Sequence, residues 1–292
     1  MTERAVTFGP SGNLIGVVSE PDAATSPAGP DVLVLNTGQN HKVGTYRMTV
    51  DLARTLAAKG FRVLRFDLSG LGDSRMRVAR EPGEDVPVAD VRAGMDFLRD
   101  RYGAQKFVLM GLCSGSDNSH RTSVADPRVV GAVHLDGIGY RTPKYHAVYW
   151  GRRFLSKTYV VTQTKLKLTE LGRGKEPPVM DAYKRPFPPI AQMARDFTTL
   201  VGRGVRLLYI YNRGAHLYTN YPEQLRETFP SVDFKDCLEV EVNPLHEHTY
   251  PLVRSRAAII ERIAAWTERH FAREKPATRE ASAASRASAG AA

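Results

Sequence analysis

The chain has 292 residues, of which 42% are hydrophobic and 25% charged, and its formal net charge is +10. These values are ordinary for a globular protein, and the length is sufficient to bury a large core. No stretch approaches 18 consecutive apolar residues, and the N-terminus lacks the basic-then-apolar layout of a signal peptide. We therefore expect neither a membrane span nor a secretory leader.

The positive charge is concentrated in one part of the chain. Residues 140–203 contain thirteen lysines and arginines against four acidic residues, a net charge of +9, so the rest of the chain is nearly neutral. Such a concentrated field attracts an anionic partner or substrate, although a solvated basic surface would have the same composition. No recognised nucleic-acid-binding module accompanies the charge, so nucleic-acid binding is not expected.

Apolar runs alternate with segments of helical spacing along most of the chain. The predicted strands cover residues 4–8, 14–19, 31–36, 61–66, 106–110, 129–135, 205–211 and 238–242. The predicted helices cover residues 43–59, 88–101, 115–124, 222–229 and 251–273. This alternation predicts an α/β fold with a mainly parallel, doubly wound sheet, whose functional sites lie at the C-terminal ends of the strands.

The same pattern divides the chain into three parts. Residues 1–139 and 204–273 are predicted to form the α/β core, and residues 140–203 a basic, helical, cap-like insert after the sixth strand. From residue 274 to residue 292 the composition shifts to Ala, Ser, Arg and Glu without bulky apolar residues. This last segment is predicted to be a disordered tail.

The most specific motif is the turn Gly111-Leu112-Cys113-Ser114-Gly115, which follows a predicted buried strand and precedes a helix. It has the form of a nucleophile elbow with cysteine at the centre, where serine is usual. The register favours Cys113, because a nucleophilic Ser114 would place the large Leu112 at a position that must be small. A cysteine in such a turn is not available for a disulfide with Cys237, so a reducing cytoplasm is the expected setting.

Three motifs together resemble the α/β-hydrolase superfamily across roughly residues 5–272. They are the elbow, the string 65–74 (RFDLSGLGDS), which is similar to the superfamily's strand-four loop, and the string 247–250 (EHTY), which is similar to its histidine motif. Within the superfamily the chain looks closest to exosortase-system-associated and serine-aminopeptidase-like hydrolases. The resemblance implies an α/β-hydrolase fold and acyl-transfer chemistry without a metal or other cofactor.

The resemblance assigns the general base to His248, which lies after the last core strand and comes last in the chain order. His246, two residues earlier, is the chief alternative. A cysteine nucleophile attacks as its thiolate, so it needs a base or a positive environment, and the start of the following helix supplies part of the latter. The base then returns the proton to the leaving group.

The third member of the expected triad departs from the family pattern. The family usually carries an acid after the strand predicted here at 205–211, but residues 212–218 (NRGAHLY) contain no carboxylate. Asp136 lies one strand earlier, after the strand 129–135, and is our choice to orient His248. The alternative is that Asp136 only ends its strand.

Other residues complete the predicted site. The backbone N–H groups of Ser114 and Gln39 are the expected oxyanion donors, because they follow the nucleophile and the third strand. Asp67 and Asp73 are expected to hold their own loop. The side chains predicted to contact substrate are Asn40, Asp117, Tyr149, Arg152 and Arg153, although the aromatic residues of the insert would also suit packing on the core.

These residues favour an esterase or thioesterase that forms an acyl-cysteine intermediate on Cys113. The expected substrate is an ester or thioester, anionic or attached to an anionic carrier such as coenzyme A. Two alternatives stay open at this point. One is acyl transfer to an acceptor other than water through the same Cys–His site, and the other is an inactive hydrolase fold that binds an anionic partner.

Overall fold

The computed structural model describes residues 1–22, 29–77, 82–154 and 186–272, without the side chains of residues 152–154. Within these ranges, eight strands form a single sheet. They are β1 (Thr2–Phe8), β2 (Leu14–Glu20), β3 (Asp31–Val34), β4 (Val63–Phe66), β5 (Phe107–Leu112), β6 (Val129–Leu135), β7 (Arg206–Asn212) and β8 (Leu238–Asn243).

The sheet is mainly parallel, and its order is β1-β2-β4-β3-β5-β6-β7-β8. Only the pairs β1–β2 and β2–β4 are antiparallel. The chain adds β4 on one side of β3 and β5 on the other, so the direction of winding changes between β3 and β5. In doubly wound sheets the ligand crevice lies at such a point, beyond the C-terminal ends of the strands. The predicted doubly wound architecture is confirmed.

Helices cover both faces of the sheet. They are α1 (Met48–Ala58), α2 (Val86–Tyr102), α3 (Ser114–Ala125), α4 (Pro143–Phe154), α5 (Ile190–Gly202), α6 (Gln224–Thr228) and α7 (Val253–Phe271). One core cluster joins α1 and α7 to the sheet and contains Leu56, Ile263 and Trp266. Other clusters on the opposite face contain residues of α2 and α5. The site at the ends of the strands therefore stands on a core that is packed on both sides.

One helix begins later than predicted, and another lies where the sequence analysis gave no separate helix. The helix expected over 43–59 begins as α1 only at Met48, because Gly44, Tyr46 and Arg47 have positive φ angles of 71°, 49° and 65°. The helix α5 lies inside the span predicted as an insert, but its residues Met193 and Phe197 are buried in the core. It is the ordinary crossover helix between β6 and β7.

Part of the predicted insert and the whole of the predicted tail lie outside the described residues. These are residues 155–185 of the insert and the tail 274–292. Of the part of the chain that the structure describes, no helix is both long enough and apolar enough to cross a membrane.

Candidate active site

Cys113 is the single residue between β5 and α3, and its backbone is in a strained conformation with φ 55° and ψ −117°. A Cβ atom at Gly111 would lie 2.1 Å from the carbonyl carbon of Gly115, and one at Gly115 would lie 2.4 Å from the carbonyl oxygen of Asn36. Neither position has room for a side chain. The glycines therefore permit a turn tight enough to present the half-buried Cys113 at the end of the strand.

Asp136 and His248 meet at the same end of the sheet. Asp136 follows β6 with a positive φ of 48°, and its carboxylate is 1% exposed. The distance from His248 Nδ1 to Asp136 Oδ2 is 2.5 Å, and the backbone N–H of Asn212 donates to Asp136 Oδ1 over 2.6 Å. The acid is thus held from two sides, with one oxygen directed at the histidine.

The His248 side chain interacts with both Asp136 and Cys113. Its hydrogen bond with Asp136, and then its hydrogen bond with the Cys113 side chain, raise the pKa of His248 to about 10, against the opposing effect of burial. A protonated imidazole beside a thiol favours the thiolate form of the cysteine. The structure therefore brings Cys113, His248 and Asp136 into one hydrogen-bonded chain.

The end of β7, where the family's acid usually lies, carries an amide instead. Asn212 is the last residue of β7, and its Nδ2 donates to the hydroxyl oxygen of Tyr250 over 2.5 Å. Two residues later, a Cβ atom at Gly214 would lie 3.6 Å from His248 Nδ1. Residues that follow either β6 or β7 can therefore approach the imidazole ring. Of these two strand ends, the one that supplies a carboxylate is that of β6.

His246, the alternative base, has different surroundings. Its carbonyl oxygen accepts a hydrogen bond of 2.9 Å from the N–H of Arg213, and its ring packs edge-on against Tyr250 with centroids 5.9 Å apart. The ring that meets Asp136 and Cys113 is that of His248. The geometry therefore favours His248 as the base.

The residues around the predicted oxyanion hole are tied to the loop after β3. The hydroxyl oxygen of Ser114 accepts a hydrogen bond of 2.7 Å from the N–H of Gly38. Ser114 is the first residue of α3, so its own N–H has no acceptor within the helix. Gln39 is exposed in a turn that the N–H of Asn40 closes on Thr37 O at 2.9 Å. The Ser114 hydroxyl is thus bonded to this loop, whereas the Cys113 side chain is bonded to His248.

Sequence reasoning missed a buried support beneath that loop. The carboxylate of Asp67 is fully buried and accepts hydrogen bonds from Asn36 Nδ2 at 3.1 Å and from Lys42 Nζ at 2.8 Å. It also accepts from the backbone N–H of Asp73 at 3.0 Å, so it holds its own loop as expected. The link to Lys42 extends this support to the loop after β3. A lysine placed among polar loop residues gives no signal of such a link in the sequence.

Tyr250 and Asn212 were likewise not assigned roles from the sequence. Tyr250 is fully buried with a positive φ of 53°, two residues after His248. Because the Asn212 side chain bonds Tyr250 while the Asn212 backbone bonds Asp136, the pair joins the histidine loop to the acid. The family string around residue 250 was the available signal, but it identifies only an aromatic ring at this position.

The predicted substrate-binding residues have mixed placements. Asn40 is exposed, and its carbonyl oxygen accepts from Asn36 Nδ2 at 2.8 Å. Asp117 is half-buried in the first turn of α3, where its N–H bonds the carbonyl of Cys113 at 3.2 Å. Tyr149 is half-buried and stacks on Tyr145 with centroids 5.7 Å apart.

The other two predicted contacts, Arg152 and Arg153, have side chains outside the described part of the structure. Their helix α4 is anchored near the site, because Tyr145 Oη donates to the carbonyl oxygen of His216 at 2.9 Å. Among the residues described, no group of three or more His, Cys, Asp or Glu side chains is arranged to hold a metal ion.

Comparison with known proteins bears on the fold. Residues 31–165 match the family model described as the alpha/beta hydrolase fold. Among curated proteins, no sequence matches the chain.

Solved structures match over nearly the whole length. An α/β serine hydrolase without a lid from Xanthomonas campestris has a TM-score of 0.57 at 15% identity, covering 94% of this chain and 98% of its own. An esterase from Pyrococcus furiosus has a TM-score of 0.57 at 15% identity, covering 92% and 90%. The esterase domain of a Rhodothermus marinus protein has a TM-score of 0.53 at 18% identity, covering 93% and 99%. The chain therefore has the α/β-hydrolase fold.

Proposed function

We propose that the protein is an acyl hydrolase, an esterase or thioesterase, that forms an acyl-cysteine intermediate on Cys113. The observation that carries the proposal is the hydrogen-bonded chain from Cys113 through His248 to Asp136, with Cys113 on a strained turn between β5 and α3. A nucleophile, a base and a group that orients the base are the parts that acyl transfer requires.

In the proposed reaction the Cys113 thiolate attacks the acyl carbonyl carbon, and the carbonyl electrons move to oxygen. The tetrahedral intermediate collapses as His248 donates its proton to the departing alkoxide or thiolate, which leaves the acyl group on sulfur. Neutral His248 then takes a proton from water as the water attacks the acyl-cysteine. Collapse releases the carboxylic acid and restores the ion pair of thiolate and imidazolium.

The developing oxyanion would bind the backbone N–H groups of Ser114 and Gln39. A single donor of this kind typically lowers the barrier by about 2.7–4 kcal/mol. The bond from Gly38 to the Ser114 hydroxyl keeps the two loops that carry these donors in contact.

The substrate that we propose is an ester or thioester with an anionic carrier group. The support is electrostatic, since residues 140–203 carry a net charge of +9. This segment follows β6, whose C-terminal end lies at the site. The more specific likeness to exosortase-system-associated hydrolases remains a prediction from the sequence motifs. Acyl transfer would share the first half-reaction, so the acceptor has to be identified by experiment.

Trapping the intermediate tests the proposal. The protein is mixed with p-nitrophenyl acetate and with an acetyl thioester, quenched in acid and digested, and the acetylated residue is located by mass spectrometry. We expect rapid acetylation of Cys113 and release of acetate in water. Added thiol acceptors would divert the acetyl group if transfer is the natural reaction.

The chain supplies its own control in Cys237, which is buried in the core cluster that contains Phe197 and Leu238. His248→Ala should abolish rapid acetylation of Cys113 without changing Cys237. Labelling of Cys113 no faster than that of Cys237, in a protein that remains folded by circular dichroism, would remove the proposed chemistry.

A further inference from the structure

Several large hydrophobic side chains are left exposed near the candidate active site. Nine such side chains are exposed in the described residues, and all except Met1 lie in connections that leave the C-terminal edge of the sheet. Five of them surround the candidate active site and are named here the apolar collar: Tyr46 (58% exposed), Leu217 (46%), Leu245 (85%), Leu252 (49%) and Val253 (72%).

Contacts place the collar around His248. Leu245 lies three residues before it, and Leu252 and Val253 follow at the start of α7. Leu217 ends the short turn 213–217, whose Gly214 abuts the His248 ring. Tyr46 joins the same surface through Arg256, which stacks on its ring at 5.5 Å and donates to the carbonyl of Pro251 at 2.7 Å.

The charges between these side chains are predominantly positive. In the segments 45–47, 213–217 and 245–254, which carry the collar, the exposed cations are Arg47, Arg213 and Arg254, and Arg141 joins them by donating to the carbonyl oxygen of Leu217. The exposed acid among them, Glu247, is paired with Arg213 at 2.8 Å. The collar is thus an apolar surface within a basic frame.

This combination fits an anionic lipid surface better than another protein. Leu245 projects from a loop and Val253 from the first turn of α7, so both side chains can enter the boundary between headgroups and acyl chains without a matching groove. Arginines at the same level attract acidic headgroups. A stable protein interface instead requires a broad complementary area of about 800 Å² on each side.

We infer that the protein binds peripherally to anionic lipid bilayers through the apolar collar, with the active-site edge of the sheet facing the membrane. Binding of this kind needs no spanning helix and does not depend on the chemistry proposed for Cys113. It would hold the opening of the site at the height of the lipid headgroups.

The test is sedimentation of the full chain with vesicles of phosphatidylcholine alone or mixed with phosphatidylglycerol. We expect binding to the mixed vesicles that weakens with added salt, and little binding to phosphatidylcholine alone. Val253→Glu should weaken binding about tenfold or more, because it removes apolar contact and adds repulsion from the lipid. Leu245→Glu should act in the same direction.

A matched control lies on the same helix. Ala265 is exposed near the other end of α7, so Ala265→Glu changes the net charge equally but away from the collar. Ala265→Glu and Cys113→Ala should bind vesicles like the unmodified protein. Equal binding by Val253→Glu and Ala265→Glu would overturn the inference, as would failure of the unmodified chain to bind mixed vesicles.

Two further results would assign the collar to a different occupant and so contradict the inference. One is a dimer in gel filtration that Val253→Glu converts to a monomer. The other is binding to an acidic acyl carrier protein that Val253→Glu removes while vesicle binding remains unchanged.

Discussion

The ends of β6 and β7 lie side by side, yet they contribute differently to the site. Asp136 directly follows β6, and its carboxylate meets His248, whereas β7 ends in Asn212, whose side chain meets Tyr250. The strands are parallel neighbours, and the N–H of Asp136 donates to the carbonyl of Ile210 at 2.8 Å. Adjacent strands lie about 4.8 Å apart, so an acid on either one can reach the same imidazole.

The position of His248, rather than the identity of one strand, therefore determines where the acid must lie. His248 Nδ1 is 2.5 Å from the Asp136 carboxylate, and it would be 3.6 Å from a Cβ atom at Gly214. In this chain the β7 side has become a support, since the Asn212 backbone holds the acid of β6. Substitutions at the two strand ends can separate the role of the acid from that of its support.

The largest effect is expected from Asp136→Asn. Loss of the carboxylate leaves His248 without the partner that orients and charges it. Turnover of p-nitrophenyl acetate should fall about a hundredfold, less than the roughly 10⁴-fold of a serine triad, because a thiol ionises more readily than a hydroxyl.

Circular dichroism of Asp136→Asn establishes whether the fold is retained. A folded variant that turns over at the unmodified rate would remove Asp136 from the mechanism. It would also leave both strand ends in a purely structural role.

The second prediction concerns pH. With the pKa of His248 raised from 6.5 to about 10, the ring is charged in the folded protein across neutral pH. Iodoacetamide should therefore alkylate Cys113 rapidly even at pH 6, well below the ordinary thiol pKa of about 8.5. In His248→Gln the rate at pH 6 should fall about ten- to thirtyfold, because the thiol loses its cationic partner.

The same shift affects stability with a defined sign. Since the pKa is higher in the folded state, the charged ring stabilises the fold fully below about pH 6.5, and this contribution is lost as the pH rises towards 10.

Alkylation profiles that coincide for the unmodified protein and His248→Gln would show that His248 does not influence the cysteine. Buried Cys237 serves as the internal reference.

Much of this site could be predicted from sequence, and the parts that could not have a common cause. Cys113 and His248 belong to strings of fixed local geometry, and Asp136 followed from the position of a strand end. The roles of Lys42, Asn212 and Tyr250 depend instead on contacts between segments distant in sequence, such as Lys42 with Asp67. The left-handed conformations of Tyr46 and Arg47, which delay the start of α1 to Met48, were not predicted either, because these residue types are not typical of that conformation.

The third prediction moves the acid from one strand end to the other. In the Asp136→Asn background, Gly214→Asp would place a carboxylate beside His248 Nδ1, on the β7 side where the family usually carries it. We expect recovery of about tenfold in turnover, incomplete because the added Cβ lies 3.1 Å from the His248 Cβ and the loop must shift slightly.

Gly214→Asn in the same background is the matched control, since it has the same size without the charge. Equal activity of the Asp and Asn variants would mean that a carboxylate at this end of β7 cannot orient the ring. The two strand ends would then not be interchangeable.

The smallest effect is expected from Asn212→Ala. The bond that supports Asp136 comes from the backbone N–H, which alanine retains, so turnover should change less than about threefold. The buried hydroxyl of Tyr250 loses its amide partner, which should lower the free energy of unfolding by about 1–3 kcal/mol in urea denaturation. Tyr250→Phe in the Asn212→Ala background should recover part of that stability, because it removes the unpaired hydroxyl. A large loss of turnover at unchanged stability would instead place the Asn212 side chain in the reaction. The ends of β6 and β7 would then both contribute to catalysis.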